Sequence, residues 1–410
     1  MARNLVGLDL GSSRIRAVVG ALDDAGEFQV AGVGIAPSNG IRKGTIVEVE
    51  ETIRALTAAV EDAERMAGEP IRDSFVIVGG SQLTASPSQG VIAVGSQGAR
   101  EISTADVARV LDAAQSVSLP QNQQAIRTVP RLFAVDDQTK VKDPTGMTGI
   151  RLDADALVFS MPGAAIRNLE KCVHETGVGI LNLVPGPLAA AEAVLDRRQK
   201  ELGVCVLDLG AGSISLAVFE EGGLLHAATI GIGSENITND LAIGLRSSID
   251  TAEKVKLARG TCLADSLKNK HEKVSLAEFS SVDEHAVTAL EIANIIEARA
   301  REIFSLAKKE LRAIGRDGLL PAGVILTGAT AKMPGILELA RETLGLPAAI
   351  GIPRAKGVVE QIQHPAFATA IGAALFGARN PAGGRSSGAG FSIGGVFSGF
   401  GDWLKGLLPS

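Results

Sequence analysis

Apolar runs broken by glycine- and serine-bearing turns recur along the chain, and two of these patterns match each other. VGLDLGSSRIRAVVGALDDAG from Val6 and CVLDLGAGSISLAVFEEGG from Cys205 align Asp9 with Asp208, Leu10 with Leu209, Gly11 with Gly210, Ile15 with Ile214 and Val19 with Val218. Each copy then reaches an acidic, Gly-containing turn and a further apolar run, residues 28–36 and 224–233. The pattern predicts strand, tight turn, strand, turn, strand in both copies. A repeat at this separation predicts two similar α/β domains.

Other stretches follow a helical period. Ser103 opens an amphipathic helix in which Ala105, Val107, Val110, Leu111 and Ala114 supply apolar faces. Turn residues then lead to the strand-like RLDADALVF from Arg151. Near the end of the chain, ARNPAGGRSSGAG (378–390) is a Gly/Ser/Ala-rich linker that cannot pack a core, with a mean reach of roughly 20 Å. Beyond it, on a wheel of about 100° per residue, Ile393, Val396, Phe397, Phe400, Trp403, Leu404, Leu407 and Leu408 fall within an arc of about 140°. Residues outside that arc are Gly, Ser, Asp or Lys. Such a helix, about 24 Å long, is too short to span a bilayer and shaped to lie in its interface. Gly394, Gly395, Gly399, Gly401 and Gly406 each cost about 1 kcal/mol of helix propensity, so the segment is expected to fold only on a surface. Lys405 and Asp402 cancel, leaving apolar burial to carry the binding: weak for one copy, firm for many through avidity.

Composition narrows the class. At 410 residues the chain can hold two or more sizeable cores, and 46% hydrophobic with 21% charged residues is ordinary for a globular protein. A net charge of −6 offers no global basic face, so no nucleic acid partner is expected. Cys172, Cys205 and Cys262 are far apart without C-x-x-C spacing, which argues against a disulfide framework or zinc site and fits a reducing cytoplasm. The five histidines are scattered and read as structural or surface residues. The first residues lack the long apolar core of a signal peptide, and no run of about 18 apolar residues appears, so the expected location is cytoplasmic.

The repeated motif carries a chemistry. An apolar strand ends in an aspartate followed by glycines and small hydroxyl residues. Gly11, Gly210 and Gly212 let backbone approach an anion, and their N–H groups with those of Ser12, Ser13 and Ser213 can cradle phosphates. A carboxylate beside a phosphate needs a cation, so Asp9 and Asp208 suggest Mg2+ held largely through water. A single D-x-G is compatible with an ordinary β-hairpin; two copies, each opening a domain, favour nucleotide binding.

DLGSSRIR and DLGAGSIS resemble the two phosphate loops of the actin-like ATPase superfamily. VILTGATAKMPGI (324–336) matches its adenosine motif, with Gly328 and Ala329 forming the turn under the base and a helix starting near Pro334. Ala329 stands where a second glycine is usual. AEKVKLARG (252–260) resembles the helix that meets ribose and adenine, with Glu253 and Lys256 three apart on one face. The resemblance implies an α/β, actin-like (ribonuclease H-like) fold that binds ATP and Mg2+. Nucleotide-binding positions are Asp9, Gly11, Ser12, Ser13, Arg16, Asp208, Gly210, Ala211, Gly212, Ser213, Glu253, Lys256, Gly328, Ala329, Thr330 and Met333.

Within that superfamily the α+β insertion at about 83–162, down to DPTGMTGIRL, resembles that of the bacterial division family FtsA, although Arg127 stands where histidine is common there. In NLVPGPLAAAEAVL, Gly186 precedes Pro187 where relatives that turn over ATP have a water-orienting glutamate, and Glu192 lies more than a helical turn further on. ATP binding with at most slow turnover is therefore expected. The tail resembles the family's membrane-targeting helix. The resemblance implies actin-like filaments of many copies, attachment of the FtsZ ring through its C-terminal peptide, contact with transmembrane division proteins, and a peripheral place on the cytoplasmic face of the membrane at the division site. The expected layout is a first domain over 1–82 and 163–186 with the insertion over 83–162, and a second domain over 187–233 and 321–358 carrying a subdomain, the FtsZ-receiving one, over 234–320. A return helix over 359–377, a linker over 378–392 and the interfacial helix over 393–408 complete it. An actin-like cytoplasmic adaptor of pilus assembly is the alternative, and a sugar kinase or chaperone ATPase ranks behind both.

Overall fold

The structure is a computed structural model that describes residues 4–95, 98–117, 119–357 and 360–379. It begins with three antiparallel strands, β1 (Leu5–Leu10), β2 (Arg14–Leu22) and β3 (Phe28–Pro37). Asp9 pairs with Arg16 and Leu10 with Ile15 across the first turn. A small hairpin, β4 (Ile41–Arg42) with β5 (Thr45–Ile46), precedes α1 (Val49–Ala67), which buries Leu56, Ala59, Val60 and Ala63 at helical spacing. Then β6 (Asp73–Val78) joins β1 in parallel.

The insertion follows: β7 (Thr84–Ala93), β8 (Arg100–Glu101), α2 (Thr104–Val117), β9 (Gln123–Val135), β10 (Gln138–Val141), β11 (Thr148–Gly149) and β12 (Arg151–Pro162). Strand order β10-β9-β12-β7 makes an antiparallel sheet with α2 against it. A core of its own holds Val107, Val110, Leu111, Ala114, Phe133 and Leu152. The expected apolar stripe of α2 holds except at Ala105, which is exposed. Asp106 turns inward instead, 1% exposed, because its carboxylate accepts from Ser103 N (2.9 Å) and Ser103 Oγ (2.6 Å). Arg100 donates to it at 2.7 and 2.8 Å, and Arg109 joins the cluster. These donors, Arg100 foremost, hold the Asp106 carboxyl well below the usual carboxylate range. Arg127 on β9, the residue that departs from the family pattern, has its guanidinium 4.9 Å from the ring centre of Phe376.

Helix α3 (Gly163–His174) and β13 (Gly179–Pro185) return to the first sheet, followed by α4 (Gly186–Val194) and α5 (Arg197–Leu202). The repeat then appears as β14 (Val204–Leu209), β15 (Ile214–Glu220) and β16 (Gly223–Ile230). Asp208 pairs with Ser215 where Asp9 pairs with Arg16. Next come α6 (Ser234–Gly244), α7 (Ile249–Arg259), β17 (Lys273–Ser275), β18 (Ala286–Thr288) and α8 (Ala289–Ala313), whose start is set by a Thr288–Glu291 capping box. Then β19 (Val324–Thr327), α9 (Ile336–Leu344) and β20 (Ala348–Ile350) complete a second sheet, β16-β15-β14-β19-β20, with β19 parallel to β14 as β6 is to β1. One continuous core joins this sheet to α6, α7 and α8.

The chain crosses back earlier than the expected 359: β21 (Lys356–Gly357) already pairs with β3. Helix α10 (Ala368–Arg379) then lies on β1 and against α4. Small residues make this possible, since a Cβ on Gly7 would sit 1.9 Å from the Ala370 carbonyl oxygen and one on Gly372 1.8 Å from that of Ala189. The helix takes in Ala378 and Arg379, assigned from sequence to the linker, because Arg379 ion-pairs with Glu192 of α4. Likewise the expected boundary at 186 falls on the first residue of α4. The rest of the linker and the interfacial helix, with Ile393, Val396, Phe397, Phe400, Trp403, Leu404, Leu407 and Leu408, lie outside the described residues.

Candidate functional site

The two glycine turns leave the ends of β1 and β14 and face each other across a cleft. They come so close that a Cβ on Gly212 would lie 2.5 Å from Ser12 Oγ and 2.8 Å from the Lys43 nitrogen. The adenosine-motif turn follows β19. Gly328 there has φ 86 and ψ 169, and an added Cβ would be 2.3 Å from Asp208 Oδ1. A short 3-10 helix, Ala329–Lys332, carries Thr330 and leads to Met333. Asp9, Gly11, Ser12, Ser13, Arg16, Asp208, Gly210, Ala211, Gly212, Ser213, Glu253, Lys256, Gly328, Ala329, Thr330 and Met333 all line one cavity of about 470 Å³. That volume suits a ligand of nucleotide size, within the usual range of about 300–1,000 Å³.

Charge is concentrated at the floor. Burial pushes Asp208 up to about 7, with Asp9 adding to the shift and Arg16 offsetting it. Asp9 is raised by burial too, against the opposing pull of Arg16 and of a hydrogen bond from Thr369. Arg16 approaches Asp9 Oδ2 to 4.0 Å. The neighbouring Asp9 adds to the proton affinity of Asp208, an arrangement that a divalent cation beside the two carboxylates relaxes. Among the described residues no group of three or more His, Cys, Asp or Glu side chains is gathered as a metal cage. The donor set is thus a pair of carboxylates beside a backbone cradle, which fits a cation that keeps most of its water and shares a phosphate ligand.

Glu253 and Lys256 form more than a solvated pair. Lys256 is 6% exposed; its Nζ donates to Glu253 Oε2 at 2.6 Å and to Thr238 Oγ1 at 2.8 Å, while Thr238 Oγ1 donates to Glu253 Oε2 at 2.5 Å. Burying an ammonium on a cleft wall is costly unless its hydrogens are satisfied, and here three side chains lock together.

Gly186, at the first position of α4, also lines the cleft, whereas Glu192 does not. Glu192 points away from it and pairs with Lys200 at 3.8 Å and with Arg379. No carboxylate on α4 therefore lines the cleft.

Sequence reading missed the walls contributed by other segments. The β4–β5 turn is latched into the site: Gly44 N donates to Ser12 Oγ (2.9 Å), and the Lys43 carbonyl accepts from Ser81 N (2.9 Å). The Lys-Gly pair between two short apolar runs was a readable turn signal. His364, grouped with the structural histidines, accepts the Ala366 N–H at Nδ1 (3.1 Å) and also lines the cleft. Thr369, which donates to Asp9 Oδ2 at 2.7 Å, carried no signal, being one hydroxyl in a small-residue helix.

The family model described as "Cell division protein FtsA" matches residues 205–372, and the one described as "SHS2 domain inserted in FTSA" matches 80–160. Curated relatives named "Cell division protein FtsA" include one from Pseudomonas aeruginosa, 36% identical over 93% of this chain and 91% of the relative. One from Bacillus subtilis is 37% identical over 92% and 83%, and one from Escherichia coli 28% over 91% and 90%. Among solved structures, a PilM-PilN type IV pilus biogenesis complex superposes with a TM-score of 0.67 at 16% identity, covering 91% of this chain and 98% of that one. Spiroplasma citri MreB5 bound to ADP gives 0.53 at 13%, covering 91% and 96%. These structural likenesses show an actin-like fold. With the insertion matched at its place in the chain and relatives above 30% identity running nearly its full length, the chain belongs to the cell division protein FtsA family.

Proposed function

We propose that the cleft binds ATP with Mg2+ and that the protein assembles into actin-like protofilaments that attach the FtsZ ring to the cytoplasmic face of the cell membrane at the division site. The observation that carries this reading is the convergence of both aspartate–glycine loops, the Gly328 turn and the buried Lys256 with its partner Glu253 on one cavity in a chain of this family. Backbone N–H groups of the two loops and the hydroxyls of Ser12, Ser13 and Ser213 would hold the phosphates, Lys256 and Glu253 the ribose side, and Gly328 to Met333 the base. Mg2+, when bound, would offset phosphate charge beside Asp9 and Asp208. With glycine at 186, no side chain of α4 polarises water, so turnover is slow and the nucleotide acts chiefly as a structural ligand between the domains.

Membrane attachment belongs to the 393–408 segment, the FtsZ C-terminal peptide to the subdomain over 234–320, and contacts with filament neighbours or transmembrane division proteins to the insertion. Liposome co-sedimentation with ATP and Mg2+, comparing the full chain with one ending at Gly390 in the presence of FtsZ, tests the reading. Full-chain protein should carry FtsZ into the pellet and the shortened chain should not. If neither form pellets, the anchoring role fails and the adaptor of pilus assembly becomes the better account.

A further inference from the structure

The two aspartates of the cleft belong to different domains, yet one short segment touches the surroundings of both. Residues 365–369 form the turn that leads into α10 and the first two residues of that helix. The Pro365 carbonyl accepts from Gly328 N and from Thr327 Oγ1, each at 3.2 Å, and Gly328 is the residue packed against Asp208 Oδ1. Four residues on, Thr369 Oγ1 donates to Asp9 Oδ2 at 2.7 Å. The intervening turn, Pro365–Phe367, is held by His364, whose Nδ1 accepts the Ala366 N–H. Thr369 is 9% exposed, so its hydroxyl meets little competition from water.

A rival partner for Asp9 stands nearby. Arg16 reaches the same Oδ2 at 4.0 Å, with its guanidinium 5.8 Å from the ring centre of Phe367 in the same segment. A guanidinium that closed on Asp9 would form a two-pronged pair and withdraw the carboxylate from the cleft. The Thr369 hydroxyl occupies that oxygen at 2.7 Å, on a residue that itself lines the cavity.

From this we infer that Thr369 is a positioning residue for divalent cation binding: it orients Asp9 relative to Asp208 and keeps Arg16 from pairing it away. The inference rests on the reading of the cleft as a Mg2+–nucleotide site and names an outer-shell residue within it. Outer-shell hydrogen-bond partners of metal-binding groups typically govern affinity by about 10–100-fold.

The test is a titration of the full chain with a fluorescent ATP analogue, at a series of Mg2+ concentrations and in EDTA. Thr369→Val keeps the shape and removes the donor. The Mg2+ concentration for half-maximal enhancement should rise about 10–100-fold, while binding in EDTA stays near that of the unsubstituted protein. Thr369→Ser, which restores the hydroxyl, should return the Mg2+ requirement to its original value. Ligand-free thermal melts check folding, and Thr369→Ala reads the same quantity if the valine variant does not fold. An unchanged Mg2+ requirement in the valine or alanine variant, or a serine variant as impaired as valine, overturns the inference alone. Absence of Mg2+-dependent nucleotide binding by the unsubstituted protein overturns the reading of the cleft and the inference with it.

Discussion

Replacing Gly328 by alanine tests whether the turn after β19 and the Asp208 carboxylate are one rigid unit. At φ 86 and ψ 169 the backbone occupies a region reserved almost wholly for glycine, and forcing another residue there costs about 1–3 kcal/mol. The added Cβ would also sit 2.3 Å from Asp208 Oδ1, 2.7 Å from the Leu209 carbonyl oxygen and 2.8 Å from the Leu209 nitrogen. Two of these neighbours are backbone of Leu209, the last residue of the central strand β14, so relief has to come from the turn or from Asp208, and overpacking of this kind adds about 1–3 kcal/mol. The total is about 2–6 kcal/mol, enough to move the turn and the carboxylate apart. Gly345 is the control: its φ is 68, yet nothing lies within 4 Å of an added Cβ, so Gly345→Ala carries only the backbone cost of about 1–2 kcal/mol. Chemical denaturation should find Gly328→Ala the less stable of the two. Titration with a fluorescent ATP analogue should show Gly328→Ala at least about tenfold weaker, equivalent to 1.4 kcal/mol, and Gly345→Ala unchanged. A Gly328→Ala protein within about 0.5 kcal/mol of the original stability, binding nucleotide with undiminished affinity, would refute the argument.

Gly186→Glu should fit, since the nearest atoms to an added Cβ are the Val78 carbonyl oxygen at 3.6 Å and Ile77 Cγ2 at 3.7 Å, and should raise ATP turnover by about 10²-fold, the low end for a general base; phosphate release at unchanged rate with intact nucleotide binding would refute the role proposed for Gly186 in limiting hydrolysis. Lys256→Met breaks a buried ammonium cluster whose carboxylate partner is 43% exposed, so a loss of about 1–3 kcal/mol is expected in denaturation, with weaker nucleotide binding; full affinity would place Lys256 outside the binding contacts. Asp106→Asn should destabilise the insertion by about 1–3 kcal/mol at neutral pH. Because the folded-state carboxyl is held below its unfolded value of about 3.9, its stabilisation is complete above that pH and drains away as pH falls toward the folded value. Denaturation should therefore show the gap between the variant and the original protein narrowing steadily as pH falls below about 4, and a gap that stays as wide at about pH 2 as at neutral pH would contradict the assignment.

Local chemistry decided much of this protein from sequence alone. A strand ending in aspartate and running into glycines needs only neighbouring backbone to act, so the duplicated loops, the glycine turn after β19 and the cleft they share were legible from residues 9–16, 208–213 and 328–333. Helix α2 was legible too, through its apolar period. Tertiary structure decided what had no local period. Asp106 faces the core where Ala105 was expected to, because two arginines and Ser103 satisfy it there at distances of 2.6–2.9 Å for Ser103 and Arg100. Lys256 is buried because Thr238, eighteen positions away, completes its hydrogen bonding. Thr369 meets Asp9 across 360 positions of chain, brought there by glycines at 7 and 372 that let α10 lie close on β1 and α4. Propensity and motif describe what a residue can do beside its neighbours in sequence; which oxygen it meets is settled only when distant segments pack and every buried polar group must find a partner.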